Sequence, residues 1–457
     1  MILDFLFTLN APETLWLFSL FFCSIYQIYK SYYNKNWYEL YKPINLFAIL
    51  TLFYCVIGPI ISSGQDDGTI IYRAINHREY YQIGLLAAFI SFLSFKIGFE
   101  YKNNFFIKDF GINKRDKKEV EEKNYFLLYK WGERLFILTI ICQVIIFGIG
   151  IFNKIRFIGD YDLAQNYVFY QGSLRGYFAY SINFLNASIL LMFISVLNGV
   201  KEKFKFVFYL SITISIFLNY GFRWRLFMLF FPLILIYYFY KKTKPKIIFV
   251  LSTLLATLLF FGLIQVTRDY GFGISLDKYQ NFSRKYEDSF ISKIIKASFF
   301  DTNVFNTSAG MIYKTPSKYN YVGIAPLINA VTLPIPREIW PNKPSGEYIK
   351  NIYKIVYPGK FREVGSASLG FAEYYISGGW IALITLNFFL GYLYKRLWIW
   401  FFYNFYDPLA QLNYAFYLSF LFIIYSRGYL LQLLFLYLSI FLPLIWLSYI
   451  WNKRLSS

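Results

Sequence analysis

The sequence predicts an all-α fold: a polytopic transmembrane helical bundle of about eleven spans (ten to twelve) with one long external loop that carries short helices. Three observations predict it. Apolar runs of about 17–25 residues recur along the chain, each long enough to cross a hydrocarbon core. Hydrophobic residues make up 57% of the 457 residues and the mean hydropathy is +0.41, which is out of range for a soluble chain of two or three domains. Short lysine-rich segments punctuate the runs, as loops on the cytoplasmic side of a membrane do.

Counting apolar runs places the spans near 12–32, 44–62, 80–99, 135–152, 177–198, 205–220, 225–240, 247–266, 370–394, 409–426 and 429–451. Residues 1–457 thus read as a single integral membrane domain, with 267–369 inserted as a long loop between the eighth and ninth spans. The opening MILDFLFTLNAPETLWLF has neither a basic start nor a small-residue cleavage site, so a retained first span is expected rather than a cleaved signal peptide. Cys23, Cys55 and Cys142 all fall inside predicted spans and are too few for a disulfide framework. His77 is the only histidine, which argues against a transition-metal site. No internal repeat of the kind seen in inverted-topology transporters is evident.

Orientation follows from the basic loops. KKTKPK at 241–246, KEKFK at 201–205 and the nine Lys/Arg of 102–134 read as cytoplasmic. Alternation then puts the N-terminus outside and NKRLSS inside. Of 31 lysines, 20 fall on the cytoplasmic side, whereas 11 of 15 arginines fall outside: Arg73, Arg78, Arg156, Arg175, Arg223, Arg225, Arg268, Arg284, Arg337, Arg362 and Arg427. Arginine binds phosphate in a bidentate manner and stays charged at any pH. An outer arginine cluster therefore points to a phosphate-bearing ligand, with pairing to acidic residues or lipid headgroups as the bland alternative.

Five stretches carry candidate chemistry. In NYGFRWRLFM, 219–228, Arg223 and Arg225 sit where a helix starts, near free backbone N–H groups that favour an anion; snorkelling is the alternative. Arg268 leaves the eighth span just before Asp269, a further phosphate contact or a span stop. Segment 283–300 spaces its apolar residues as an amphipathic helix, set either along the outer interface or on the bundle. The proline-rich 316–344 reads as shaped, non-helical chain, presenting Arg337, Trp340 and Lys343, cation and ring together, as sugar phosphates favour. In GSASLGFAEYYISGGW, 365–380, small residues permit close helix approach. Glu373 is a candidate general base there, or an arginine's partner. Asp66 and Asp67 in GQDDG suit a turn tip better than a divalent-metal site.

Taken together, GFRWRLF, PREIWPNKP and LGFAEYYISGG resemble the corresponding places in the Wzy-type O-antigen and capsule oligosaccharide repeat-unit polymerases. The motif match covers roughly 219–395, and the many-span plan covers the chain. The resemblance implies a metal-independent glycosyltransferase without cofactor, in the bacterial inner membrane. It would move a growing glycan from a polyprenyl diphosphate carrier to a carrier-linked acceptor at the outer face. By resemblance Arg223 and Arg337 are the implied catalytic residues and Arg225, Arg268 and Lys343 the next contacts; Glu373 joins them as the candidate base, and Trp340, Tyr374 and Arg427 as further substrate-binding candidates. Implied partners are undecaprenyl-diphosphate-linked oligosaccharide, membrane lipids and a chain-length regulator protein, with no nucleic acid. The related O-antigen ligases typically carry a histidine in the long loop, and 267–369 has none. A lipid-linked-oligosaccharide flippase and a polyprenyl-phosphate-sugar glycosyltransferase acting through Asp66 and Asp67 compete with the polymerase reading.

Overall fold

The computed structural model describes residues 2–63, 67–102, 122–147, 180–219, 223–268, 290–333, 335, 339–344, 346–359, 367–428 and 430–456. It is about 81% helical, with 16 helices. In chain order these are α1 (Ile2–Phe7), α2 (Ala11–Tyr32), α3 (Pro43–Ile61), α4 (Arg78–Glu100), α5 (Glu122–Phe147), α6 (Phe184–Leu197), α7 (Lys203–Asn219), α8 (Arg223–Lys241), α9 (Ile247–Arg268), α10 (Phe290–Ser298), α11 (Val304–Lys314), α12 (Ala325–Thr332), α13 (Glu347–Val356), α14 (Gly370–Tyr403), α15 (Pro408–Ser426) and α16 (Leu430–Ser456). A two-stranded antiparallel hairpin, Ile71–Tyr72 with Ile75–Asn76, precedes α4.

Every apolar run expected to span the membrane is helical over its described residues. Among those residues, five helices are long and apolar enough to cross a bilayer: α3, α4, α8 from Trp224, α14 and α15. Ser181–Leu197, Ile247–Gly262 and Leu436–Leu447 are shorter apolar helices.

Glycine sets the closest crossing. Helices α4 and α14 run parallel, with Ser91 Oγ donating to Asn387 Oδ1 at 3.0 Å and Phe95 near Tyr394. A Cβ added to Gly98 would collide with the Phe388 carbonyl, and one on Gly391 with the Phe95 carbonyl. Small residues let the two backbones touch. Helix α15 lies antiparallel to α8 and α14 and parallel to α3. Phe227 meets Phe422, Phe239 meets Tyr414, and Tyr414 stacks on Phe401 at 4.1 Å. Tyr425 reaches Thr51 at 3.1 Å and Cys55 at 3.2 Å.

These directions sort the loops onto two ends. At one end Lys244 donates to the Tyr32 and Asn34 carbonyls, Tyr41 to the Thr243 carbonyl, and Lys395 to the Tyr101 carbonyl. The lysine-rich segments 201–205 and 241–246 gather there, and most of the basic part of 102–134 lies outside the described residues. At the other end lie the hairpin, the starts of α4, α8 and α14, the ends of α9 and α15, and the helices of the long loop.

The long loop differs from expectation in two places. Its 316–344 stretch, expected to be non-helical, contains α12. Pro326 occupies the first turn of that helix, where its missing N–H costs nothing and its fixed φ suits the helix. The loop also sends α11 into the bundle. Val304 through Ile312 are all buried, and Ala309 and Phe305 face Gly84 of α4.

Candidate functional site

The last residues before α14 are tied to two other elements. The Leu369 N–H donates to Ser308 Oγ of α11 at 2.7 Å, and the Gly428 N–H donates to the Ser368 carbonyl at 3.0 Å. Gly370 and Gly428 are in backbone contact, so neither position has room for a side chain. These ties set the start of α14, which carries Glu373, beside the end of α15, which carries Arg427.

Glu373 is 1% exposed. Tyr348 of α13 donates its hydroxyl to Glu373 Oε1 at 2.5 Å, a distance typical of a charge-assisted O–H···O⁻ bond. Tyr319 in turn donates to the Tyr348 carbonyl at 3.2 Å. Tyr348 also forms the inner wall of an open cavity of about 570 Å³, whose lining includes Lys318, Tyr319, Asn320, Tyr321 and Ala325. Three tyrosines, an asparagine and a lysine thus line a space from which Tyr348 leads back to the buried Glu373 carboxylate. Aromatic faces with a few placed polar groups form a surface that sugar rings can stack on.

A second tyrosine of α13 gathers the charges. Tyr353 is buried, bonded to Ser368, and lies within electrostatic reach of Glu373, Arg427 and Arg73; burial pushes its phenol above the usual range. Arg427 sits 3.8 Å from Asp301 and remains part-exposed. Arg73 stands at the tip of the hairpin, its guanidinium 5.5 Å from the Tyr72 ring and 5.0 Å from that of Tyr357. The register Tyr72↔Ile75 leaves a two-residue turn in which Arg73 has φ 52 and Ala74 φ 58. Turns of this kind favour Asn-Gly, and side-chain-bearing residues are strained there. Stacking on Tyr357, whose hydroxyl bonds Thr307 at 2.6 Å, holds the tip in place.

The remaining expected site residues separate. Arg225 does not project from the helix start: it is fully buried, donates from Nε to Asn183 Oδ1 at 3.2 Å and lies beside the Trp224 ring. Asn183 donates onward to Ser439, and Gln143 donates to Ser181, so Arg225 belongs to a polar layer inside the bundle. Lys343 is buried and donates to the Leu333 and Ile335 carbonyls at 2.9 and 2.6 Å; its ammonium braces the loop from within rather than facing a ligand. Tyr374 turns into the bundle among Phe47, Asn387 and Tyr425. Trp340 is exposed on the loop surface. Arg223 and Arg268, placed by backbone, are the first residue of α8 and the last of α9, both at the end that holds Glu373. Arg337 and Asp66 lie outside the described residues. Asp67 accepts the Thr69 N–H at 2.9 Å and hydroxyl at 2.7 Å, which hold its carboxyl below the usual range and make it the cap of its own turn.

Reading the sequence counted Arg73 among the outer arginines but did not single it out as a site residue, because IYRAIN has no Asn-Gly signal for a hairpin. It also missed Tyr348 and Tyr353. The signal was there: EYIKNIYKIV buries Tyr348, Ile349, Ile352, Tyr353 and Val356, one face of a helix at its natural period.

No protein-family model matches the chain, and no curated protein or solved structure matches it either.

Proposed function

We propose that this chain polymerises lipid-linked oligosaccharide repeat units, working as a multi-pass protein of the bacterial inner membrane with about eleven spans and its N-terminus outside. The observation that carries the reading is the gathering of Glu373, Arg427 and Arg73 around Tyr353, beside a tyrosine-lined cavity, at the end opposite the lysine-rich loops. In the proposed step an acceptor sugar lies in the cavity and passes its hydroxyl proton to Tyr348, whose own proton moves to Glu373. The acceptor oxygen bonds to the donor sugar's anomeric carbon as the bond from that carbon to the carrier diphosphate breaks. The polyprenyl diphosphate leaves with the bonding electrons. Arg73 and Arg427, with Arg223 and Arg268 from the same end, stabilise the charge growing on it, and Arg337 is the proposed further contact. Undecaprenyl-diphosphate-linked oligosaccharide is the proposed substrate, and a chain-length regulator the proposed partner in the membrane.

A transporter of the same substrate is the second reading. It is favoured by the buried layer of Gln143, Ser181, Asn183 and Arg225, because polar groups inside a membrane bundle are costly and mark pathways.

One experiment separates them: a gel of surface polysaccharide from a deletion strain complemented with wild type, Arg427→Ala or Glu373→Gln. The polymerase reading expects the ladder to collapse to a single repeat unit on its acceptor. Loss of even the single unit supports transport, and an unchanged ladder on deletion overturns both.

A further inference from the structure

We propose that helix α12 lies in the outer boundary of the bilayer, its exposed face sunk among lipid acyl chains. Ile324 just before the helix is 70% exposed, Leu327 57%, Ile328 43% and Val331 57%. Positions i, i+3, i+4 and i+7 form a single apolar stripe. The opposite face is filled: Pro326, Asn329 and Ala330 are buried, and the helix packs on α16. The stripe continues into Ile339, 74% exposed, and Trp340, the kind of ring that settles at a membrane interface.

The same loop supplies a comparison. Helix α13, two dozen residues on, is also amphipathic, but its exposed face is Glu347, Lys350, Asn351 and Lys354, a face made for water. Two helices of one loop have opposite outer faces, so they meet different surroundings.

The level of α12 is also set. The Val322 N–H donates to the Ile376 carbonyl at 2.9 Å, and Tyr321 rests on Gly379. Just past that glycine, α14 presents Ile381 and Ile384 outward. The residues that lead into α12 are therefore tied at the height where the apolar surface of a membrane-crossing helix begins. An interfacial helix needs an apolar face and a polar one at such a boundary, which commits the occupant to phospholipid rather than a second protein.

The inference does not depend on the enzymatic reading and is tested without it. The chain, with Cys23, Cys55 and Cys142 replaced by alanine, is spin-labelled singly at 324, 327, 331, 350 or 354 and reconstituted in phosphatidylcholine–phosphatidylglycerol vesicles. Collision with oxygen relative to a water-soluble nickel chelate is expected to be severalfold higher at 324, 327 and 331 than at 350 and 354. Equal nickel access at both sets overturns the proposal, because the stripe then faces water. Exclusion of both reagents with dipolar broadening overturns it in favour of a second copy. A photoreactive benzoylphenylalanine at 327 in the otherwise unaltered chain repeats the test with native cysteines. A phospholipid adduct is expected, and a chain-to-chain adduct or none counts against it.

Discussion

At the scale of single residues, the pair Tyr348–Glu373 concentrates the chemistry. A buried carboxylate left without its donor costs roughly 1–3 kcal/mol, so Tyr348→Phe is expected to alter both the strength and the pH profile of elongation while keeping the fold. Glu373→Gln is expected to slow elongation by about 10²–10⁴-fold, the usual contribution of a general base; in vitro extension of lipid-linked repeats measures both. His77 makes a separate prediction. It is enclosed by Tyr72, Tyr80 and Tyr357, and burial lowers its pKa to about 4. Below pH 6.5 the unfolded chain takes up a proton that the folded chain refuses, so stability falls as pH drops from 6.5 towards 4. Thermal unfolding over that window is expected to be flatter for His77→Phe, and an equal slope in both proteins would refute the assignment. Glu373 and Arg427 were legible in the sequence because a charge at the edge of an apolar run is visible by inspection. The burial of Arg225 was not, because its partner Asn183 lies 42 residues away, and that of Lys343 was not, because it depends on the loop folding back to set the Leu333 and Ile335 carbonyls against its ammonium.

Among elements, the α4–α14 crossing and the ends of α14 matter most. A side chain at Gly391 meets a backbone carbonyl of α4, which cannot move aside as a side chain can. Gly391→Val is expected to exceed the roughly 1–3 kcal/mol of ordinary overpacking and to abolish folded protein, scored as monodisperse yield. Farther out, α14 is broken at Gly378 and Gly379, and Gly379 has φ 68. Gly379→Ala there is expected to cost about 1–2 kcal/mol and to lower the unfolding temperature while the protein still folds. The small-residue stretch before α14 was readable as a close-approach motif, and the structure uses it as one, through Gly370 on Gly428. That the paired glycines would break the helix was not readable, because glycine is also common inside membrane helices. Helix α12 escaped notice for the opposite reason: prolines were weighed as breakers, and one of them begins a helix.

For the whole molecule, apolar periodicity gave every expected run its helix, because each long run must satisfy its own backbone. The two ends were legible from charge alone, since loops rich in lysine segregate from those rich in arginine. Alkaline phosphatase fused after Lys244 is expected to be inactive, and fused after Gly359 active; the reverse pattern would invert the proposed orientation. What could not be read was the burial of α11, a loop segment folded into the bundle against α4. Its sequence, VFNTSAGMIYK, mixes small, polar and apolar residues without a long run. Only the space left by Gly84, and by its own Gly310 against Val356, gives it a place.

The break in α14 has one more consequence. Outward of it, the stub from Gly370 to Ser377 is governed by the loop: Ile376 is bonded to Val322, and Glu373 to Tyr348. Inward of it, Asn387 and Gly391 are governed by α4. The change of allegiance falls at Gly378 and Gly379, where the helix is broken. Described loop residues that touch neither α4 nor α15, such as those lining the cavity, can therefore be rewritten by drift or by design while the α4–α14 crossing keeps its packing.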